Sequence, residues 1–431
     1  MTHSNEFDVL GGSVADYTKS TATNVLSRYD ELNKWFDLRY QNGVDPYSKS
    51  TASPVCTDTV CFGRHGDRFA GVNFASQDYL NFSSNQQVID AALQAVEQYG
   101  LHSAGSAALM GNTEAASKLE RKIAEFTGYG DCTLFPTGWA AGYGILRCLA
   151  KRDDHIFIDS LGHACLLEGA KAATKNVHRF PHLSNESVEK RLRRIRNQDS
   201  QAGVLVVTES TFSMDSDVPD LAELQDICHR YDATLIVDCA HDLGCIAEHG
   251  GGYLEIQEMV GKVDVLMGSF SKVFSSIGGF VATNRKSLKL GIRYACGPVT
   301  FSNAMSPVNC AIVNRCFEIA DSPDGFQLRK DLIENARYLR EQLGAHGFEV
   351  LGKDSAIVPV VLGDCAASRL TTKHAMELGG IVNLVEYPAV ARNSSRWRLQ
   401  VMAKHTHQQI DRMVQIAVQA RVRANAELAA Q

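Results

Sequence analysis

The sequence predicts an α/β protein with a large layered domain and a smaller α+β domain at its C-terminal end. Three observations carry this. From about residue 80 to 300, helical stretches alternate with short apolar strands, the pattern of helices covering a sheet. Four of those strands end beside Thr137-Gly138, Glu209, Asp238 and Lys272, and open α/β sheets bind ligands at the carboxyl ends of their strands. Beyond about residue 300 the alternation gives way to longer helices and a few isolated strands. At 431 residues the chain also exceeds what one core usually holds. The expected division is an N-terminal arm and helix over 1–72, a large domain over 73–300 and a small C-terminal domain over 301–431.

In chain order, residues 1 to about 22 are polar, rich in Ser and Thr, and read as a mobile lead-in. From Val25 to Tyr40 the residues Val25, Leu26, Tyr29, Leu32, Trp35, Phe36 and Leu38 recur at helical spacing, and Asn42-Gly43 stops that helix. Strand-like pieces at 59–62 and 69–74 lead to Ser76-Gln77-Asp78-Tyr79-Leu80. Strands are then expected at 132–135, 155–159, 204–208, 234–238, 263–267 and 280–282, with helices at 87–99, 114–127, 139–150 and 221–231. In the last part, helices over 306–320 and 328–346 precede strands over 357–362, 381–384 and 397–402, and a helix from His407 to about Ala426 closes the chain.

Composition narrows the class of function. With 45% hydrophobic and 21% charged residues and a net charge of -6, the chain has no basic excess for nucleic acid or an anionic membrane. No run approaches the roughly 18 apolar residues of a spanning helix, and the first residues have no apolar signal core, so a cytoplasmic location is expected. The 12 cysteines are scattered singly and the 14 histidines show no metal-binding spacing, so reduced thiols and no metal centre are expected.

The strand ends offer chemistry. In Gly268-Ser269-Phe270-Ser271-Lys272, a lysine just past a buried strand is partly desolvated and suited to a Schiff base with a carbonyl cofactor; a surface lysine fits the pentapeptide as well. Asp238 leaves another buried strand, with His241 three residues on, as a partner for a protonated ring nitrogen; a helix cap or a magnesium ligand is the alternative. Thr137-Gly138-Trp139 opens a helix and turns N–H groups towards an anion, or is a routine strand-to-helix turn. His163 stands before an apolar helix, as a cap or as a face for a planar ring. A lysine, an acid, a ring face and phosphate donors are what pyridoxal phosphate needs from its protein.

The order and spacing of these residues resemble the α-oxoamine synthase family of fold-type I pyridoxal phosphate enzymes, over about residues 30 to 420. The resemblance rests on Gly105-Ser106 with Leu119-Glu120, on 135–139, 159–164 and 209–215, and on Asp238-Cys239-Ala240-His241 with Gly244. It continues through Gly250-Gly251-Gly252, Ser269-Phe270-Ser271-Lys272, 302–307, and Arg398 with His405-Thr406. Within the family it leans towards the serine palmitoyltransferase branch through 42–47, 278–281 and Ile381-Val382-Asn383.

The resemblance implies a fold-type I transferase with a large mixed-sheet α/β/α domain and a smaller α+β domain. It implies a pyridoxal 5'-phosphate-dependent acyltransferase that joins an amino acid to an acyl thioester and releases carbon dioxide, free thiol and an α-amino ketone. Its catalytic set would be Lys272 (cofactor anchor and base), Asp238 (ring nitrogen), His241 (ring oxygen) and His163 (stacked on the ring). Thr137, Gly138, Trp139, Ser269 and Ser271 would hold the phosphate, and Glu209 and Ser213 would complete the cofactor contacts. Ser302 would reach the phosphate from a neighbouring subunit, which makes a homodimer with shared sites the expected assembly. Arg398 would take the substrate carboxylate, with Gln77, Asp78 and Tyr79 also on the substrate side; an exposed strand arginine is the plain reading of Arg398.

Departures from the family pattern bear on the substrate. The usual Asp-Glu-Ala-His-Ser is Asp238-Cys239-Ala240-His241-Asp242, an arginine becomes Ala107, a histidine becomes Ala116, and Ser-Asn-Asp-Tyr becomes Ser76-Gln77-Asp78-Tyr79. Arg-Pro-Pro becomes Glu386-Tyr387-Pro388, an acid that should disfavour an extra anionic group near the substrate. Serine with a long-chain acyl-CoA is the first expectation, followed by alanine or glycine and a carrier-protein thioester. An aminotransferase or lyase, or a non-catalytic palmitoyltransferase-like subunit, are the other readings; retention of Lys272, Asp238 and His163 argues against the last.

Overall fold

The computed structural model describes residues 7–430. The chain divides into two compact units, a larger one of Gln77–Ser213 and Asp217–Leu332 and a smaller one of the remaining segments. The larger unit is built on a seven-stranded mixed sheet. Its strands run in the order Asp131–Phe135, Gly279–Thr283, Val265–Ser269, Thr234–Asp238, Val204–Glu209, His155–Asp159 and Asn176–Phe180. Gly279–Thr283 is antiparallel to both neighbours, and the other neighbouring pairs are parallel.

Six of these strands lie where the apolar runs predict them, because runs such as Val204–Glu209 are buried along their whole length. The seventh, Asn176–Phe180, escapes the pattern because it is an edge strand with only Phe180 buried. The helix Asn185–Gln198 escapes it for a similar reason: apart from Asn185, only Val188 and Leu192 are buried on an otherwise polar helix. Against the sheet, Phe135, Ile145, Leu146, Ile158, Val207, Ile236 and Met267 form one apolar cluster.

The change of texture near residue 300 does not end this unit, which runs through Leu332. Helix Pro307–Ala320 packs on Gln86–Tyr99 and Glu114–Thr127, burying Val313, Phe317 and Ile319.

The smaller unit joins the two ends of the chain. Its four-stranded sheet orders Ser50–Thr51, Asp58–Phe62, Arg68–Asn73 and Gly380–Ile381, and its three-stranded sheet orders Ile357–Gly363, Ser395–Gln400 and Leu384–Val385. The expected helix over 25–40 is two elements, a 3-10 turn Val25–Tyr29 and helix Asp30–Gln41, and Val25, Leu26 and Tyr29 are exposed.

The mobile lead-in needs correction. Residues 1–6 lie outside the described residues. Beyond them, the Trp35 indole N–H donates to Asp8 O (2.8 Å), and the Arg369 guanidinium donates to the carbonyls of Val9 (2.9 Å), Leu10 (2.7 Å) and Gly12 (2.7 Å). Polar composition predicts mobility only when the backbone has water as its partner, and here a buried arginine from far along the chain satisfies it.

Candidate active site

The carboxyl ends of the parallel strands in the larger unit open on a cleft of about 320 Å³ lined by Thr137, Gly138, Trp139, His163, Glu209, Asp238, His241, Ser269, Ser271 and Lys272. Ten sequence-predicted residues therefore meet in one place, with Cys165, Met267 and Ile277 among their neighbours. A larger groove of about 1030 Å³ lies at the amino ends of the same strands, beside Asp154, Val204, Thr234 and Val265, and none of these ten residues lines it.

At one end of the cleft, Thr137 caps helix Gly138–Leu149 by accepting from the Ala140 N–H (3.0 Å). Gly138 is required there because a Cβ would fall inside the Ser269 side chain and 3.2 Å from Ser269 Cα. The Ser269 and Ser271 hydroxyls are 2.8 Å apart. A helix start, a bare glycine and two hydroxyls make an anion cradle.

At the other end, Asp238 and Glu209 are register partners on adjacent strands. Asp238 accepts from the Ala240 N–H (2.9 Å); burial raises its pKa, while the charges of Lys272 and His163 oppose the rise. Glu209 is raised well above the carboxylate range, first by burial and then by Asp238. Its Oε1 accepts from the His163 backbone N–H (2.7 Å), so Glu209 holds the loop that carries His163.

His163 serves as the expected cap and lines the cleft as well. Its Nδ1 accepts from the Cys165 N–H (3.3 Å), and its ring stands edge-on to Trp139 at 6.0 Å between centroids. Loop 159–163 has a support that the sequence reading missed. His182 bonds Asp159 Oδ1 and Asp217 Oδ2, both at 2.8 Å, and Asp159 also accepts from the N–H groups of Leu161 (2.9 Å) and Leu183 (3.0 Å). A lone histidine after an edge strand carries no motif that would have revealed it.

The remaining predicted residues are not among those that line the cleft. Asp78, expected on the substrate side, is buried, and its carboxylate accepts from the N–H groups of Phe82 (3.0 Å) and Ser83 (3.3 Å) and from the Ser275 hydroxyl (3.0 Å). It thus holds the segment that follows Lys272. Tyr79 is buried with its hydroxyl 3.0 Å from His241 Nδ1, and Gln77 is half-buried. Ser213 is buried and Ser302 half-buried, and neither lines the cleft. Arg398 belongs to the smaller unit, where its backbone N–H donates to Asn383 O (3.0 Å). Its Nε is buried with no hydrogen-bond partner among the described residues, as in an arginine built to receive an anion.

The departures also find places. Asp242 is fully buried and accepts from the Ser210 hydroxyl (2.7 Å) and the Tyr253 N–H (2.9 Å); burial pushes its pKa up to about 6. Ala107 and Ala116 line one small cavity beside Glu120, whose carboxylate pairs with Arg293 (2.9 Å) and Lys289 (3.2 Å). Glu386, expected to disfavour an extra anionic group, has its partners inside the protein. Its carboxylate is buried within the smaller unit, bonded by Arg39 (3.1 Å), the Tyr47 hydroxyl (2.6 Å) and Arg369 Nε. Two arginines and a phenol take up its carboxylate within the smaller unit.

Comparison with known proteins agrees with this geometry. Residues 70–416 match the aminotransferase class I and II family. The chain is 34% identical over 342 residues to serine palmitoyltransferase of Sphingobacterium spiritivorum, covering 79% of this chain and 84% of the relative. It is 31% identical over 388 residues to 2-amino-3-ketobutyrate coenzyme A ligase of Escherichia coli, covering 90% and 96%. A high-resolution structure of SPT with PLP internal aldimine superposes with a TM-score of 0.86 at 28% identity, covering 93% of this chain and 99% of that one.

Proposed function

The chain belongs to the aminotransferase class I and II family and, within it, to the α-oxoamine synthases, and from that premise we propose that it condenses L-serine with a long-chain acyl thioester. It is a pyridoxal phosphate-dependent acyltransferase, and the finer reading adds serine, a long acyl chain and a cytoplasmic homodimer. The single observation that carries it is the cleft in which Lys272, Asp238, His163 and His241 meet the anion cradle of Thr137, Gly138, Ser269 and Ser271.

The cofactor fits by its chemistry. A cleft of about 320 Å³ is in the range of small-molecule sites. A phosphate suits the bare glycine and the helix start. A protonated ring nitrogen suits Asp238, whose buried charge needs a cation. Bound there, pyridoxal phosphate supplies an aldehyde for an amine and a ring that draws electrons from the amino-bearing carbon.

The chain's own residues do the rest. Lys272 Nζ anchors the cofactor and then moves the proton at the substrate α-carbon. With the cofactor bound, Asp238 would keep a proton on the ring nitrogen and His241 would orient the ring oxygen. His163, fixed through its backbone by Glu209, would cover one ring face. Arg398 is assigned to the substrate carboxylate from the family pattern, and its unsatisfied Nε supports that role. In balance, one amino acid and one acyl thioester yield one α-amino ketone, one carbon dioxide and one thiol.

Support for serine comes from the likeness to serine palmitoyltransferases. Support for a homodimer comes from Leu109 (83% exposed), Met110 (92%) and Phe301 (89%), whose loops are tied by the Ser103 hydroxyl donating to Ala304 O (2.9 Å). All twelve cysteines are free thiols, as suits a reducing compartment.

The test is thiol release from palmitoyl-CoA by the pyridoxal phosphate-loaded protein with serine, alanine or glycine. Serine is expected to be fastest, with thiol and carbon dioxide in equal amounts. Faster turnover of alanine or glycine would overturn the amino acid, and no thiol release with any of the three would overturn long-chain acyl-CoA as the donor.

A further inference from the structure

We propose that Tyr79 is a positioning residue that sets the tautomer of His241, placing the imidazole proton on Nε2. The geometry stands by itself; its consequence for the reaction rests on the cofactor reading above.

The Tyr79 hydroxyl lies 3.0 Å from His241 Nδ1. Tyr79 is 0% and His241 5% exposed, so the contact is shielded from water. A phenol is a good donor and a poor acceptor, because its lone pairs are drawn into the ring, whereas a bare imidazole nitrogen is a strong neutral acceptor. The hydroxyl therefore donates to Nδ1. A neutral histidine carries one N–H, so with Nδ1 accepting, the proton resides on Nε2. His241 lines the cleft with Asp238 and Lys272, and with Nδ1 engaged its contact to a bound molecule falls to Nε2. An N–H there can donate to the anionic ring oxygen of pyridoxal phosphate; a bare nitrogen could not.

Tyr79 is held firmly enough for this task. The adjacent Asp78 accepts from the Phe82 N–H (3.0 Å) and the Ser275 hydroxyl (3.0 Å), and Asp78 O accepts from the Asn81 N–H (2.9 Å). The turn 78–81 thus anchors the residue that orients His241 and the segment that follows Lys272. Sequence reasoning expected Tyr79 on the substrate side; the structure adds a contact from its hydroxyl to His241.

The decisive measurement needs neither cofactor nor activity. Long-range proton–nitrogen correlation on protein labelled with 15N-histidine reads the tautomer, with His241 assigned by the signal lost in His241→Asn. The wild type is expected to show Nε2 protonated and Nδ1 bare, and Nδ1 protonated in the wild type overturns the proposal without any variant. In Tyr79→Phe the ring is expected to become a mixture of tautomers. Loaded with pyridoxal phosphate, that variant should change its ratio of visible to near-ultraviolet absorption by about twofold, lose about tenfold in kcat and keep KM for the amino acid within about twofold. An unchanged tautomer and absorption ratio in a folded, cofactor-binding Tyr79→Phe would also overturn it. If the wild type shows the Nε2 proton yet binds no pyridoxal phosphate, the pairing is supported and the cofactor reading fails, so the two are separable.

Discussion

A methyl group at position 138 has nowhere to go. It would meet Ser269 Cβ and Oγ inside van der Waals contact, and Gly279 already presses on the same backbone, since a Cβ built there lies 2.8 Å from Gly138 Cα. Gly138→Ala should therefore push the helix start away from Ser269 and Ser271, at a cost of about 1–3 kcal/mol, which is roughly 5- to 150-fold in affinity for pyridoxal phosphate. Titration of the apoprotein by absorption would show it, with the circular dichroism unchanged; equal affinity in variant and wild type would remove the cradle argument. Asp238 shows the complementary logic at the other end of the cleft. Its burial is opposed first by the charge of Lys272, and a protonated ring nitrogen would add a second cation beside it.

At the scale of an element, loop 159–163 between a strand and a helix carries His163 and is held from behind. His182 lies between Asp159 and Asp217; burial works against its charge, but the two carboxylates outweigh it and bring its pKa up to about 9. Because the folded value is raised above about 6.5, the stabilisation is fully present below pH 6.5 and is lost as pH rises through 9. The stability difference between wild type and His182→Asn should thus be roughly 2–3 kcal/mol near pH 6 and shrink by pH 9.5. Urea unfolding at the two pH values checks this, and a difference that does not shrink would mean that the ring is neutral throughout.

For the molecule as a whole, the main organisational fact is that both chain ends build one unit, with Glu386 buried inside it. Burial alone would raise the Glu386 pKa, yet Arg39 and Arg369 together hold it below the usual carboxylate value. Its contribution is therefore present above about pH 4.3 and is lost as pH falls through the depressed folded value. Glu386→Ala would leave two buried guanidinium groups facing each other, and should cost about 3–5 kcal/mol in chemical denaturation; a loss under about 1 kcal/mol would mean that the arm is held by other contacts. This cluster was illegible in the sequence, since Arg39, Tyr47, Arg369 and Glu386 are brought together by folding and share no local spacing. Asn176–Phe180 and Asn185–Gln198 were illegible for a related reason, because each buries too few side chains to leave a period. The sequence by itself determined the alternating α/β order, the strand ends that carry Lys272, Asp238, Glu209 and Thr137, and the family. Each of these is written in local apolar runs or in motifs with fixed internal spacing. Only the tertiary structure decided that Tyr79 faces His241, that Asp78 faces Ser275, that His182 braces the His163 loop and that Glu386 is neutralised in a core. Those are pairings between segments distant in the chain, and hydrogen-bond partners of that kind are set by packing, which no local pattern records.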